Sequence, residues 1–540
     1  MLRTVLVILL VCLSAPTFAQ EDAWIYFTDK PNVAASLANP ISILTQKAID
    51  RKQNFNIAID ARDVPVNEGY VTTVKTQTDI LVLAKSKWFN ALHVRGTESA
   101  INGLTNLDFV DTVVFANPNL NSSGRPEQQH TDLDIEDITI AFTYGNTQNQ
   151  VEMIGVDNLH LDDYTGEGVS IAIMDAGFPN ADTMGAFQNL RDQGLLLGGY
   201  DFVDRTTDIY NSTSSNHGTK VLSTMGGFIQ DSFVGTAPNA SYYLFRTEDA
   251  SSENPVEESY WVEAAERADS LGVDIINTSL GYTTYDNANY SYTPADMNGE
   301  TAFITKGANI AAEKGLLVVV SAGNSGSSSW QTVGAPGDSP NVLSIGAVNA
   351  DGDYVSFSSQ GSAAQIGYQK PDVVARGGNA FVIDEYNSIV QNNGTSFSAP
   401  ILCGGLAALK QALPNVTPSV LKDLVRQSAS QYNAPDQFLG YGIPNLYTAK
   451  NLALSVDDFN LEGLRLYPNP VNSDLYLSFP EAQSQIKVVV YNQLGQEVLQ
   501  ETLTETTESL DVSALSAGVY LIQLSTEVGV KTLQFIKTMP

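Results

Sequence analysis

The sequence predicts an α/β domain built on a parallel sheet, preceded by a small α+β domain and followed by an all-β one. Three observations carry this. Between residues 151 and 454, nearly continuous apolar runs alternate with segments of helical period. Before residue 117, short strand-like and helix-like runs are mixed, and after residue 462 only strand-like runs remain. A chain of 540 residues with 43% hydrophobic content has the length and apolar mass for about three cores.

The first 19 residues read as a targeting segment. Arg3 supplies the positive start, residues 5–13 the apolar stretch, and Thr17-Phe18-Ala19 a small-residue cleavage site before Gln20. That run is too short for a permanent anchor, and no later stretch reaches membrane-spanning length, so no transmembrane segment is expected in the mature protein. Val11 is bulkier than the residue expected before a lipidated cysteine, which argues against Cys12 as a lipid site. Cleavage then leaves Cys403 alone, in the apolar run Ile401-Leu402-Cys403-Gly404. It cannot form an internal disulfide and reads as a small core residue.

The α+β region follows as a strand at 24–27, an amphipathic helix at 42–53, strand-like runs at 70–74, 79–84 and 110–115, and a helix around 86–92. Residues 118–150 are rich in Asn, Gln, Ser, Thr and Asp and read as an exposed linker open to proteolysis. In the α/β region, buried strands are expected at 169–174, 242–245, 273–276 and 316–320. Asn254-Pro255 starts a helix that carries Trp261, Ala264, Ala265 and Ala268 at helical spacing and ends near Gly272. A second helix runs over 302–314 and stops at Gly315. Runs 487–491 and 519–524 with intervening turns give the last region its sandwich character. The expected boundaries are 1–19, 20–148, 149–455 and 463–540.

The formal charge of −32 excludes nucleic acid as a partner, because Lys and Arg are too sparse to neutralise phosphates; such acidity serves solubility. The chemistry sits in four motifs of the α/β region. Asp175 ends the strand 169–174, at the edge of a parallel sheet where functional groups collect. His217 lies in Asn216-His217-Gly218-Thr219, before a glycine that permits another backbone to approach. Ser396 lies in Asn393-Gly394-Thr395-Ser396-Phe397-Ser398-Ala399-Pro400, where a glycine turn opens an apolar helix whose free N–H groups favour developing negative charge. Asn324 follows the strand 316–320 in Ser321-Ala322-Gly323-Asn324, where its amide can donate to an oxyanion. A serine hydroxyl needs an imidazole to take its proton, and the imidazole needs a carboxylate to fix its tautomer.

These four blocks resemble the signature blocks of the subtilase family of serine peptidases over residues 155–446. The resemblance implies a subtilisin-like three-layer α/β fold with a central parallel sheet. It makes Asp175 the orienting aspartate, His217 the base, Ser396 the nucleophile and Asn324 the oxyanion donor. It also implies that Ser279, Leu280 and Gly281 pair with the substrate backbone, and that Ser321, Ala322 and Gly323, with Ala335-Pro336-Gly337, line the pocket for the side chain before the scissile bond. Phe397 and Ser398 replace the Met and Ala of many relatives, without removing a reactive group. The first domain resembles the ferredoxin-like propeptide of such enzymes, a folding aid and inhibitor. Residues 464–537 resemble a type IX secretion sorting domain, through Tyr467-Pro468-Asn469-Pro470, Tyr491-Asn492-Gln493-Leu494-Gly495 and Leu515-Ser516-Ala517-Gly518-Val519-Tyr520.

Together these imply protein or peptide substrates, the chain's own propeptide as inhibitor, and export through periplasm and outer membrane by type IX machinery to the medium or the cell surface. No cofactor is required and no metal-binding residue is assigned; structural calcium is common in the family, but no motif here transfers its ligands. His93, His130 and His160 have no matching partners in the sequence and read as surface or packing residues. Glu248, Asp249, Glu253, Glu257 and Glu258 read as a solvated acidic loop and helix start, against a cation site or specificity wall. The competing functions are a catalytically silent binding protein on this scaffold and a maturation protease with one or two clients.

Overall fold

The computed structural model describes residues 20–121, 142–361, 367–454, 465–478, 486–492, 497–503, 507–526 and 529–538. The targeting segment, Cys12 and His130 lie outside them. The chain divides into two compact units, Met1–Lys450 and Asn451–Pro540.

The first unit opens with an antiparallel sheet. Strand β1 is Gln20–Phe27, followed by helices α1 Gln46–Asn54 and α2 Glu68–Lys75, then β2 Ile80–Ser86, β3 Ala91–Thr97 and β4 Val110–Phe115. The strands pair in the order β2-β3-β1-β4. Two expectations fail here. Residues 70–74 are helical: Asn67 accepts the N–H groups of Gly69 and Tyr70, and Val71 and Val74 meet the core at helical spacing. Residues 86–90 form the β2–β3 turn in place of a helix, with Asn90 at φ 50° and the Ser86 hydroxyl accepting from Phe89 N–H. Helix α1 starts at Gln46 because Thr45 caps it.

Alternation along β1 divides its side chains between two cores. Ala23, Ile25 and Phe27 face the domain's own interior, while Trp24 joins the larger core beyond it. There Trp24 stacks on Phe303 at 4.6 Å and donates to Ser259 at 2.9 Å. The contact is also charged. Lys52 meets Asp269 at 2.8 Å, Lys314 meets Asp63 at 2.9 Å, and Glu266 accepts the N–H groups of Lys87 and Trp88 at 2.9 Å. His93 is buried in this seam, between Asp22 at 2.9 Å and Ser259 at 2.8 Å, so it does have partners, and they are structural.

The last residues of the expected linker belong to the fold and are not all exposed. Tyr144, Thr147 and Gln150 are buried, and Tyr144 bonds His160, whose other nitrogen faces the Thr236 carbonyl. From there the elements are β5 Ser170–Asp175, β6 Leu196–Asp201, α3 His217–Gly226, β7 Ser241–Arg246, α4 Val256–Leu271, β8 Ile275–Thr278 and α5 Phe303–Glu313. Then come β9 Leu317–Ser321, β10 Leu343–Val348, β11 Val373–Arg376, the hairpin β12 Ala380–Ile383 and β13 Ile389–Asn392, and α6 Thr395–Ala412. Seven strands form one parallel sheet in the order β11-β10-β9-β8-β5-β7-β6. Its strands β5, β8, β9, β10 and β11 are buried throughout, which is why β5 and β9 read as nearly continuous apolar runs. Asn254 caps nothing at the start of α4; Glu257 takes the N–H groups of Asn254 and Asp249 in its place. Gly272 closes α4 in the left-handed conformation, as a glycine there is able to. Cys403 is fully buried, and burial pushes its thiol up well beyond reactivity. Among the described residues, no helix is long and apolar enough to cross a membrane.

The second unit is all-β among its described residues after 464. Strands β14 Arg465–Tyr467, β15 Asp474–Ser478 and β18 Thr507–Asp511 make one antiparallel sheet. Strands β16 Ile486–Tyr491, β17 Glu497–Leu503, β19 Gly518–Thr526 and β20 Gly529–Lys537 make another, in the order β17-β16-β19-β20. Leu475, Leu477, Val488, Val490, Ile522, Leu524 and Phe535 alternate into a shared core.

Candidate active site

Three adjacent strands, β9, β8 and β5, bring expected residues to one edge of the parallel sheet. Asp175 is the last residue of β5 and is buried. Residues 279–281 leave the end of β8, and Ser321 ends β9. This is the carboxyl edge of the strands, where loops diverge and leave a crevice.

His217 is the first residue of α3, half-buried beneath the crevice. Two glycines let its loop close on the Asp175 loop: a Cβ on Gly218 would stand 2.6 Å from the Gly177 carbonyl oxygen, and Gly177 has φ +156°. His217 Nδ1 lies 2.8 Å from Asp175 Oδ1, which also accepts the Ala176 N–H at 2.7 Å. Burial alone would lower the imidazole pKa, but the charge and hydrogen bond of Asp175 hold it above the ordinary value. The bond to Nδ1 fixes the tautomer that leaves Nε2 able to accept a proton.

Ser396 stands in the first turn of α6, among N–H groups that have no helical partners. The His217 ring lies 5.7 Å from that of Phe397, the next residue. Asn324 Oδ1 accepts from Thr395 N–H at 2.9 Å and from the Thr395 hydroxyl at 3.0 Å. With its oxygen so occupied, the NH2 group is the part of the amide left to donate, in a residue that lines the cavity.

Ser279, Leu280, Gly281, Ser321, Ala322, Gly323, Asn324 and Ser396 line one cavity of about 140 Å³. The structure therefore unites the expected pocket residues, with one correction. Ala335, Pro336 and Gly337 do not line it, and Gly334, Ser359, Thr283 and Ser325 do; Ala335 pairs its backbone with Tyr282. Three contributors were missed from sequence. Thr395 anchors Asn324 and could have been suspected from its place beside Ser396. Glu385, at the tip of the β12–β13 hairpin, accepts from Asn216 at 2.6 Å and so braces the His217 loop; nothing in the sequence links residues so far apart. Glu248 lies near enough to His217 for its charge to raise the imidazole pKa. The acidic stretch is not solvated as expected, since Glu257 and Glu258 are buried and hydrogen-bonded to Asp249, Asn254, Tyr285, Tyr292 and Ile304. Among the described residues, no three His, Cys, Asp or Glu side chains converge as metal ligands.

The subtilase family profile matches residues 166–442, that of the peptidase S8 propeptide domain of Bacteroidota matches 22–144, and that of the secretion system C-terminal sorting domain matches 465–538. Subtilisin E of Bacillus subtilis (strain 168) is 30% identical over 318 residues, covering 58% of this chain and 74% of its own. Subtilisin DY of Bacillus licheniformis is 30% identical over 302 residues, covering 55% and 97%. The crystal structure of MycP1 with the N-terminal propeptide removed is 22% identical, with a TM-score of 0.44 over 56% of this chain and 96% of that one. The N-terminal domain is a propeptide of this class, and the C-terminal sorting domain marks the protein for export, to the medium or the cell surface. With the family profile spanning over half of its length and subtilisins matching it at 30% identity, the chain belongs to the subtilase family.

Proposed function

We propose that the protein is a secreted serine endopeptidase that hydrolyses peptide bonds through an acyl-enzyme on Ser396. The observation that carries the reading is the 2.8 Å bond between His217 Nδ1 and Asp175, with the imidazole 5.7 Å from the Phe397 ring in the helix turn that carries Ser396. A substrate backbone laid along Ser279, Leu280 and Gly281 presents its carbonyl carbon to Ser396 Oγ. His217 Nε2 takes the hydroxyl proton as Oγ attacks, and Asp175 stabilises the imidazolium that results. The oxyanion is met by the Ser396 N–H and the Asn324 amide, a donor worth on the order of 3–4 kcal/mol of barrier. His217 then gives its proton to the leaving amine, which departs. Water attacks the acyl group by the same route and restores Ser396. Ser321, Ala322 and Gly323 receive the side chain that precedes the scissile bond. No cofactor enters this sequence.

The propeptide inhibits until it is cleaved away, and type IX machinery carries the protein through periplasm and outer membrane by its sorting domain. A fluorophosphonate probe on the secreted, processed protein tests the activity. Labelling that disappears in Ser396→Ala supports the reading, whereas absent labelling, or labelling that survives Ser396→Ala, refutes it.

A further inference from the structure

We propose that Glu248 selects a basic side chain at the substrate position immediately before the residue held in the cavity of Ser321, Ala322 and Gly323. The inference rests on the peptidase reading above and names its substrate class. It begins with strand order: β9, β8, β5 and β7 are consecutive neighbours. The cavity wall ends β9, the substrate-pairing segment leaves β8, Asp175 ends β5, and Glu248 comes two residues after β7. A peptide extended along residues 279–281 therefore lies over the end of β8. Its side chains alternate in direction. When one points towards β9 and fills the cavity, the one before it points the other way, to where Asp175, His217 and Glu248 stand.

Glu248 is held there by both flanks. Thr247 N–H donates to the Asp175 carbonyl at 3.0 Å. Glu248 Oε1 accepts from the Tyr282 hydroxyl at 2.6 Å and the Thr247 hydroxyl at 3.1 Å. Tyr282 directly follows Gly281, and its backbone pairs with Ala335 in both directions, at 2.8 and 3.1 Å. The carboxylate is thus tied to the segment that pairs with substrate. Its other oxygen, Oε2, has no hydrogen-bond donor among the described residues, and it is not among the buried unpaired atoms, so it is not sealed from solvent in this half-buried residue. The neighbouring acids differ: Glu257 and Glu258 use both of their oxygens on the fold.

The charge balance points the same way. No Lys or Arg forms an ion pair with Glu248 among the described residues. Burial raises its pKa, and the negative charges of Glu253 and Asp175 add to the rise. Glu257, raised likewise, adds to the same uncompensated field. A cation brought beside Oε2 offsets all of these at once. Lysine and arginine side chains carry donors and no acceptor, which matches a bare carboxylate oxygen, while an apolar side chain would leave it unpaired.

The test uses the secreted, processed protein and its Glu248→Gln and Glu248→Lys variants, each titrated with fluorophosphonate to count active sites. Two peptides identical except for lysine or leucine at that position are compared by kcat/KM within each protein. The unaltered protein prefers lysine by about tenfold, the yield of one charge-assisted hydrogen bond. The ratio falls to about one in Glu248→Gln, and Glu248→Lys prefers leucine. A ratio near one in the unaltered protein, or a lysine preference that persists in Glu248→Gln, overturns the inference while leaving the peptidase reading intact. A protein that takes no label overturns both.

Discussion

Replacing Thr395 with valine separates the positioning of the oxyanion donor from the rest of the chemistry. Valine keeps the shape of threonine and removes one hydroxyl. That hydroxyl donates to Asn324 Oδ1 at 3.0 Å and accepts from Gly323 N–H at 3.1 Å. Its loss breaks one of the two bonds that hold Asn324 and leaves Gly323 N–H without its protein partner. Stability should fall by about 2–3 kcal/mol, the sum of one net hydrogen bond and one poorly satisfied donor. The Thr395 N–H still holds Asn324 at 2.9 Å, so the amide is loosened and not lost. If the donor is worth about 3–4 kcal/mol, losing one of two anchors should cost roughly half, or about 10- to 30-fold in kcat. KM should change less than about twofold, because the donor acts on charge that develops only in the transition state. Steady-state kinetics on one peptide, normalised to titrated active sites, gives both numbers. Thr395→Ser restores the hydroxyl and should restore kcat. A valine variant with full kcat, or a serine variant as slow as the valine one, would show that the Thr395 hydroxyl does not position Asn324.

Three further outcomes follow. Asp175→Asn should lower kcat by about 10⁴-fold. Because His217 must be neutral to accept a proton and Asp175 raises its pKa, the acid limb of kcat/KM should lie above about pH 6.5 and move to lower pH in the variant. Asp269→Asn, made in a Ser396→Ala background, should destabilise the uncleaved chain by about 3 kcal/mol in thermal unfolding, since Arg51 and Lys52 are buried against it. Burial opposes ionisation of Asp269, yet Lys52, Arg51 and Lys87 hold its pKa below the usual range; its contribution is therefore complete above about pH 3.9 and lost as pH falls through the lower folded value, where the two proteins should converge. Deleting residues 463–540 should abolish delivery to the medium or cell surface, read by fractionation, while normal delivery would contradict the export role.

The strands of the candidate site were legible because buried parallel strands carry apolar runs and because Asp175 and Asn324 sit at or just beyond their ends. Val318, Val319 and Val320 announce β9, and Asn324 follows it at once. Residues 70–74 misled because Tyr70, Val71 and Val74 suit a half-buried strand as well as a helix face, and the Asn67 cap decided between them. Lys87 and Trp88 misled for another reason: their N–H groups are satisfied by Glu266 from a different domain, so a turn replaces the local helix. The same limit hid the bracing role of Glu385, which depends on a hairpin folding back onto the His217 loop. The acidic stretch looked solvated because its burial comes from Tyr282, Tyr285 and Tyr292, which reach it from beyond β8.

The claim on which everything else depends is that Ser396 carries the acyl group. Mixing the processed protein with an activated ester, quenching in acid within a turnover and mapping the peptides by mass spectrometry reads this directly. One acyl group is expected on the peptide containing Ser396, and none in His217→Ala on the same timescale. An acyl group on another residue, or turnover with none at Ser396, would contradict that claim.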